Sequence, residues 1–275
     1  MSKSTLKYLI YFSVLLYIFF SWNCKIPVSK SYTDVDAIKD YIYSHPSIFL
    51  SDLFDTTRNT SFYREITKRD YWISINFHEA DSNHFFRNAD VYWNDSLGGV
   101  FHTFISGTEY LKNFKAFSKV RAYFEQWGDA GDIYRGWLLM KIQNVQIYST
   151  PTHPDGFNTL WVNSSGSDDL INLGSLYDLN KVLKFTRLTT QVKFTIQVTD
   201  PSDLYYLHIY EGSDFRKIRF TNDSSNFFTA SWTPTSQDFN TYRHAYIDCL
   251  DPKSVADTSW KYDSNAWGIL YKIKP

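Results

Sequence analysis

The side chains best suited to bind a metal or transfer a proton are concentrated at residues 78–84, which read His-Glu-Ala-Asp-Ser-Asn-His. Zinc is bound by histidine and carboxylate groups that converge on one tetrahedral point, so His78 and His84 raise a metal site as a hypothesis. Their spacing differs from the helical His-Glu-x-x-His pattern of metalloproteases. A polar hairpin after a strand at residues 71–77 explains the same residues, and we therefore predict no metal here.

Two acidic loops offer a second kind of chemistry. Residues 129–132 and 164–169 contain side chains whose oxygens bind Ca²⁺ in other settings, but neither loop has EF-hand spacing, and turn formation accounts for both. The sequence contains no G-x-S-x-G and no C-x-x-C motif, and Gly98-Gly99 lacks the Lys-Ser or Lys-Thr of a phosphate-binding loop. We therefore expect no catalytic residues and no cofactor. The alternative is a hydrolase that uses acids and histidines around His78, Asp129 and Asp168.

Aromatic side chains, which make up 19% of the sequence, provide a third kind of candidate. Tyr206, His208 and Tyr210 alternate with Leu207 and Ile209 along a predicted strand, and period-two geometry sends the two sets to opposite faces of a sheet. The aliphatic set suits a core, whereas tyrosine is favoured where a protein binds its partners. We therefore predict that Tyr206, His208 and Tyr210 form a binding face for a protein or a glycan.

The two cysteines have different surroundings. Cys249 shares one face of a predicted strand with Ala245 and Ile247, and His244 falls on the opposite face. Because no base lies beside it on that face, we predict that Cys249 is a buried, small hydrophobic residue.

Cys24 follows an apolar run without charges at residues 8–22. Lys3 and Lys7 precede the run, and a basic start followed by a short apolar stretch is typical of a secretory signal peptide. A helix that spans a membrane needs about 20 apolar residues, which is longer than this run. The sequence therefore predicts export, and an uncleaved membrane anchor is the alternative.

The residues that lead into Cys24, namely Ser21, Trp22 and Asn23, resemble the relaxed lipobox of spirochaetal lipoproteins, those of Leptospira especially. The resemblance to bacterial lipoproteins implies that residues 1–23 are a signal peptide cleaved before Cys24. It also implies that the thiol and the new amino terminus carry acyl chains such as palmitate. Each buried CH₂ contributes about 0.8 kcal/mol, and two or more chains hold a protein stably on a membrane. Residues 24–32 would then form the lipidated terminus and a spacer.

From residue 33 onwards the pattern favours a mainly β fold of sandwich-like antiparallel sheets with few helices, and an α+β fold is the alternative. Thr33 is a predicted helix N-cap, and His45-Pro46 ends that helix before a second short helix at residues 46–54. Apolar and polar residues alternate most clearly at residues 192–198. Other strand patterns, separated by turn signals such as residues 94–99, lie at residues 71–77, 91–93, 100–105, 136–148, 204–210, 217–220, 227–232, 242–249 and 268–273.

One segment in the middle of the chain favours a helix. Large apolar residues recur every three or four positions from Tyr110 to Trp127, and Gly128 follows as a stop signal. We predict a helix over residues 108–127. The alternative is a strand that begins near Val120 and pairs with residues after the loop at 128–132.

Residues 149–169 have the weakest pattern, and we place a boundary at residue 150. Residues 33–150 would form a helix-plus-strand half and residues 151–275 an all-β half, either as two domains or as one continuous domain. With 28 basic and 29 acidic side chains, the chain has no basic field for general nucleic-acid binding. With the lipobox, this predicts a non-catalytic binding domain held by lipid on a bacterial membrane. We expect the outer membrane, with the domain in the periplasm or at the cell surface.

Lipidation of Cys24 has a direct test. We expect Cys24→Ser to abolish labelling by a clickable palmitate analogue and to move the protein from the detergent phase to the aqueous phase, because the acyl chains are then missing. Cys249→Ser is the matched control and should label like the unchanged protein. Membrane partitioning that Cys24→Ser leaves unchanged would indicate a spanning anchor instead.

Overall fold

The computed structural model describes residues 31–49, 61–81, 85–150, 156–164, 166, 168–188, 191–211 and 214–275. These residues form two β-sheets and a few short helices, which confirms the predicted mainly β, sandwich-like fold. The predicted signal peptide and Cys24 lie outside the described residues. No described helix combines the length and the apolar character that crossing a membrane requires.

The helices are α1 (Asp34–Ser44), α2 (Pro46–Phe49) and α3 (Pro252–Ala256). In chain order, the strands are β1 (Phe62–His78), β2 (Asn88–Ile105), β3 (Thr108–Gln126), β4 (Trp137–Gln143), β5 (Val145–Ser149), β6 (Phe157–Asn163), β7 (Asp168–Ile171), β8 (Leu176–Asp178), β9 (Leu183–Thr186), β10 (Val192–Val198), β11 (Leu204–Glu211), β12 (Asp214–Arg219), β13 (Thr221–Ser224), β14 (Phe227–Trp232), β15 (Arg243–Leu250) and β16 (Ser264–Lys274).

The larger sheet has the strand order β1-β2-β3-β5-β16-β15-β11-β12, with β4 beside β3 and β8, and β9 beside β16. The smaller sheet has the order β13-β14-β10-β6-β7. Neighbouring strands are antiparallel except for β9, which runs parallel to β16. Because β5 pairs with β16, strands from both sides of residue 150 share the larger sheet. Residues 149–169 contain β6, an inner strand of the smaller sheet that the weak pattern did not predict.

Helix α1 forms where the sequence predicts it. Thr33 Oγ1 accepts the backbone N–H of Asp36 at 3.2 Å, and the Asp36 carboxylate accepts the backbone N–H of Thr33 at 3.0 Å. This reciprocal capping satisfies amide donors that the first turn leaves unpaired. His45 ends the helix, and α2 begins at Pro46. The apolar side of α1 is buried against the larger sheet through Ala37, Ile38 and Ile42.

The helix predicted over residues 108–127 is wrong, because these residues form strand β3. Ser106 and Gly107 have φ angles of 52° and 83° and form the two-residue turn that joins β2 to β3. A turn with two positive φ angles matches the twist of a β-hairpin. The alternative that the sequence left open, a strand near Val120 paired with residues after the loop at 128–132, agrees with the pairing of β3 and β4.

The spacing of large residues in β3 misled the helix prediction. Small residues occupy much of the buried face of the strand, as Ala116, Ser118 and Ala122 show. Phe117 points to the opposite, half-exposed face. The aromatic residues of this segment therefore lie on both faces of the strand. Their spacing of three and four residues does not mark the buried side of a helix.

The predicted turn at residues 94–99 is also wrong, because β2 runs through it without interruption. A Cβ atom at Gly99 would collide with the backbone carbonyl of Glu65 on β1. Glycine therefore permits the two strands to approach closely, next to a β-bulge between Ile66 and Lys68. This glycine marks a close contact between strands.

The larger sheet curls back on itself. Four strands separate β1 from β15, which would place these two strands about 24 Å apart in a flat sheet. Arg64 on β1 and Asp248 on β15 are nevertheless 2.6 Å apart. The curl encloses a first core, which α1 and α2 complete with Ile38, Ile42, Ile48 and Phe49.

A second core lies between the two sheets. It contains the inner side chains of β6, β10 and β14 from the smaller sheet, and those of β9, β11, β15 and β16 from the larger one. The buried apolar side chains of β2 to β5, together with Phe62 of β1, belong to the first core instead. The smaller sheet therefore covers one half of the outer surface of the larger sheet.

Strand β10 provides a test of this sandwich. Phe194 is fully buried in the second core, with its ring 6.4 Å from that of Phe185, whereas Lys193 is exposed and lies 3.5 Å from Asp223. We expect Phe194→Ala to lower the free energy of unfolding by about 3–5 kcal/mol, because it removes apolar contacts and leaves a cavity. Lys193→Ala should change it by less than about 0.5 kcal/mol. Urea denaturation measures both, and a larger loss for Lys193→Ala would contradict the register of β10.

Candidate functional site

Local contacts between polar and charged side chains hold the segment around His78. His78 Nε2 lies 3.5 Å from an Asp90 carboxylate oxygen, and Arg87 Nε lies 3.0 Å from a Glu79 carboxylate oxygen. His84 is outside the described residues. Within the part of the chain that the structure describes, no group of three or more His, Cys, Asp or Glu side chains is placed to hold a metal ion.

The three regions of the hydrolase hypothesis lie on separate elements. His78 ends β1, Asp129 lies between β3 and β4, and Asp168 begins β7 in the smaller sheet. Asp132 accepts the backbone N–H of Asp129 at 2.7 Å, and Asp168 accepts the side-chain amide of Asn163 at 3.0 Å. Turn and hairpin contacts therefore account for the carboxylates of Asp132 and Asp168.

Cys249 lies in the second core on the same face as Ala245 and Ile247, as the sequence predicts. Its Sγ donates to Asp203 at 3.4 Å. Burial, together with the negative charge of Asp203, raises the pKa of the thiol, and this keeps it protonated and unreactive. His244 lies on the opposite face, where burial lowers its pKa to about 3.

Tyr206, His208 and Tyr210 share one face of β11, opposite Leu207 and Ile209 in the second core. The predicted exposure of this face is wrong for His208, which is 1% exposed. Tyr206 is only partly exposed, because its ring packs edge-on against Phe62 of the curled strand β1 at 5.1 Å. Tyr210 is 55% exposed at the end of the strand. The curl of the larger sheet therefore removes most of the predicted binding face from solvent.

His208 belongs instead to a buried polar network around Asp248. Arg64 Nη2 donates to Asp248 Oδ2 at 2.6 Å, and His208 Nε2 donates to the same oxygen at 3.2 Å. The other carboxylate oxygen accepts the Ser264 hydroxyl at 2.7 Å. Arg64 Nε also donates to the Tyr262 hydroxyl at 2.9 Å. The network thus joins β1 through side chains to β11, β15 and β16, three strands that pair with one another through their backbones but not with β1.

The charges of this network are fixed by their surroundings. Burial alone would raise the pKa of Asp248, but the positive charge of Arg64 and the hydrogen bond from His208 hold it well below its usual range. Burial lowers the pKa of His208, so its imidazole is neutral at pH 7. Because Arg64, His208 and Asp248 are at most 1% exposed, a substrate has no access to them. We interpret this network as structural.

The half of the larger sheet that the smaller sheet leaves uncovered has a different surface. Over residues 89–97 of β2 and 112–124 of β3 the inner side chains are buried and the outer ones are exposed or half-exposed, and the inner side chains Ile73, Ile75 and Phe77 of β1 are half-buried. The outer side chains form rows across the strands, such as Trp72, Asn94, Lys119 and Gln146. We name this surface the open face and define it by Trp72, Tyr92, Asn94, Lys115, Phe117, Lys119, Arg121, Tyr123, Lys141, Gln146 and Tyr148.

Cations and aromatic rings are paired across the open face. Each of its four cationic groups lies over a neighbouring ring, at a distance at which the ring attracts positive charge. The distances to the ring centroids are 5.0 Å for Lys115 and Phe117, 5.8 Å for Lys119 and Tyr148, 5.7 Å for Arg121 and Tyr92, and 5.5 Å for Lys141 and Tyr123. The surface therefore carries aromatic and cationic groups, and the carboxylates of Asp70 and Asp90 also face it.

A cavity of about 410 Å³ lies on the open face, between Trp72, Asn94, Phe117, Tyr148 and Thr150. Its volume is within the range of about 300–1,000 Å³ that small-molecule sites occupy. The Phe117 and Tyr148 rings, 6.0 Å apart, contribute to its wall. Trp72 is 50% exposed. The cavity offers flat apolar surfaces together with an amide and a hydroxyl group, an arrangement suited to binding.

Sequence reasoning missed the open face, although one signal for it was present. Trp72 lies between Tyr71 and Ile73, whose side chains point to the apolar face of the predicted strand. Trp72 is therefore a large aromatic residue on the opposite, polar face. No protein-family model matches the chain, and comparisons with curated proteins and with solved structures found no similar protein. The geometry of the open face is therefore the feature of the molecule that bears on its function.

The buried ion pair has its own test. Asp248→Asn leaves Arg64 as a buried charge without its counter-charge, and we expect a loss of about 3–5 kcal/mol in the free energy of unfolding. The double variant Arg64→Met/Asp248→Leu removes both charges, and it should recover most of that loss. Urea denaturation at pH 7 measures both. Equal losses in the single and double variants would contradict a role in charge balance.

Proposed function

We propose that this chain is a non-catalytic binding protein of the bacterial cell envelope, held on a membrane by lipid at Cys24, with the open face as its ligand-binding surface. The observation that carries the proposal is the exposure of Trp72 and Tyr92 on a sheet whose other half is covered by the smaller sheet. Exposed tryptophan and tyrosine are the side chains that contribute most to binding surfaces.

The tether and the binding surface are compatible in their dimensions. The described fold begins its first helix at Asp34, so residues 24–32 are the proposed link to the lipid. An extended chain spans at most about 3.3–3.6 Å per residue, which limits this link to about 30 Å. The binding domain would therefore work close to the membrane surface, and its ligand would be a component of the envelope or a molecule that reaches it.

A tethered hydrolase is the weaker proposal. It requires an acid and a base within hydrogen-bond reach of one substrate position. His78, Asp129 and Asp168 lie on separate elements, and local partners occupy the carboxylate of Asp168 and the imidazole of His78. The buried histidines His208 and His244 are at most 8% exposed. The binding function needs only the surface that the fold already exposes.

The binding function predicts a specific loss. We expect Trp72→Ala to reduce co-sedimentation of the purified, detergent-solubilised full chain with cell-envelope fragments on the order of tenfold, because an exposed aromatic contact is removed. Trp260→Ala is the matched control. Trp260 is also exposed and lies under Lys253, 4.5 Å from its ammonium group, but it follows α3 and belongs to none of the strands that form the open face.

Thermal melting should show that both tryptophan variants are folded. Equal binding by Trp72→Ala and the unchanged protein would contradict the open face as the ligand surface. An equal loss in Trp260→Ala would do the same, because it would show that exposed aromatic residues bind envelope fragments without regard to position.

A further inference from the structure

We propose that the open face binds an acidic polysaccharide, an inference that rests on the proposed binding function of that face. Three properties of the surface support this ligand class. The surface exposes flat aromatic rings. The amide side chains of Asn94 and Gln146 lie in the same row as the Trp72 ring. Lys115 and Lys119 lie on β3 on either side of Phe117, which lines the cavity.

The rings suit the faces of sugars. One face of a pyranose ring presents C–H groups, which pack on the negative face of an aromatic ring. Trp72 and Tyr92 are 50% and 36% exposed, and Phe117 and Tyr148 flank the cavity. Hydroxyl groups at the rim of a sugar need hydrogen-bond partners, which Asn94 can supply from inside the cavity.

The charges of the open face favour an anionic sugar. Arg121 already binds the Asp90 carboxylate at 2.8 Å, and Lys141 interacts electrostatically with Asp178. Lys115 and Lys119 are exposed, and their ammonium groups lie over aromatic rings. We therefore assign the contact with a carboxylate or sulfate group to Lys115 and Lys119, on either side of Phe117.

The extent of the surface favours a chain of sugars over a single one. The row from Trp72 on β1 to Gln146 on β5 crosses four strands, a distance of about 14 Å at the usual strand spacing. The cavity lies beside this row, and the surface continues on both sides of it through Tyr92 and Phe117. A linear polysaccharide can therefore lie across the strands with one sugar in the cavity.

Single-stranded nucleic acid is also bound by stacking on rings and by cations. The chain as a whole has a net charge of −1, so it lacks the basic field that concentrates polyphosphates on a protein surface. Uronate and sulfated sugars carry their charge on the same ring whose C–H face packs on an aromatic side chain, so Lys115 and Lys119 beside Phe117 can pair with that charge without a basic field over the whole chain. The composition of the open face therefore favours the polysaccharide.

The test measures the affinity of the detergent-solubilised full chain for four probes by isothermal titration calorimetry. The probes are polygalacturonate, heparin, neutral dextran and an oligo-dT strand. We expect at least one of the two acidic polysaccharides to bind more tightly than dextran and oligo-dT. Trp72→Ala and the double variant Lys115→Ala/Lys119→Ala should each weaken that binding at least tenfold.

Lys115→Ala/Lys119→Ala should also reduce the salt dependence of the affinity, because it removes two positive charges from the binding surface. Trp72→Ala removes no charge and should leave the salt dependence unchanged. Lys181→Ala/Lys193→Ala is the matched control, since both lysines are exposed on other elements, and it should bind like the unchanged protein.

Failure to bind either acidic polysaccharide would overturn this inference, as would tighter binding of oligo-dT or equal losses in the control variant. If envelope binding still depends on Trp72 while no acidic polysaccharide binds, the proposed function stands and only the ligand class is wrong. If envelope binding is also independent of Trp72, both proposals fail.

Discussion

Arg64 and Asp248 lie on strands that are five positions apart in the larger sheet, yet their side chains form an ion pair in its interior. Either charge alone would be buried without a partner, at a cost of several kcal/mol, so the two must be buried together. Only the curled form of the sheet allows this. Tyr262, Ser264 and His208 donate or accept the remaining hydrogen bonds and thereby fix β1 over the face of β11 and β15.

The curl gives the two surfaces of one sheet different roles. The inner surface closes around the first core. Tyr206 and His208 lie on this inner surface, and β1 covers them. The outer surface is divided, because the smaller sheet packs on β9, β11, β12, β15 and β16 and leaves β1, β2 and β3 uncovered. Among the described elements, none covers the outer side of β1, β2 and β3, and so Trp72 and its cationic neighbours stay in water.

Local signals predicted the elements that local contacts determine. The capping box at Thr33 and the strict alternation at residues 192–198 each lie within one short segment, and both elements are confirmed. Strand β3 was mispredicted because its buried face uses small residues while Phe117 faces outward. The Arg64–Asp248 pair joins residues 184 positions apart. The rows of the open face depend on how four strands are aligned with one another. The sequence of one strand does not determine this register.

Strand β1 has one hydrogen-bonded neighbour among the described strands, which makes it a long sheet edge. A bare sheet edge is a template for pairing between copies of a chain, and the proposed lipid tether would bring such copies together on one membrane. The bulge between Ile66 and Lys68 interrupts the regular spacing of this edge, and the charged run Lys68-Arg69-Asp70 follows directly. Both features oppose edge-to-edge aggregation. The irregularity that Gly99 accommodates thus also opposes strand pairing between copies of this chain.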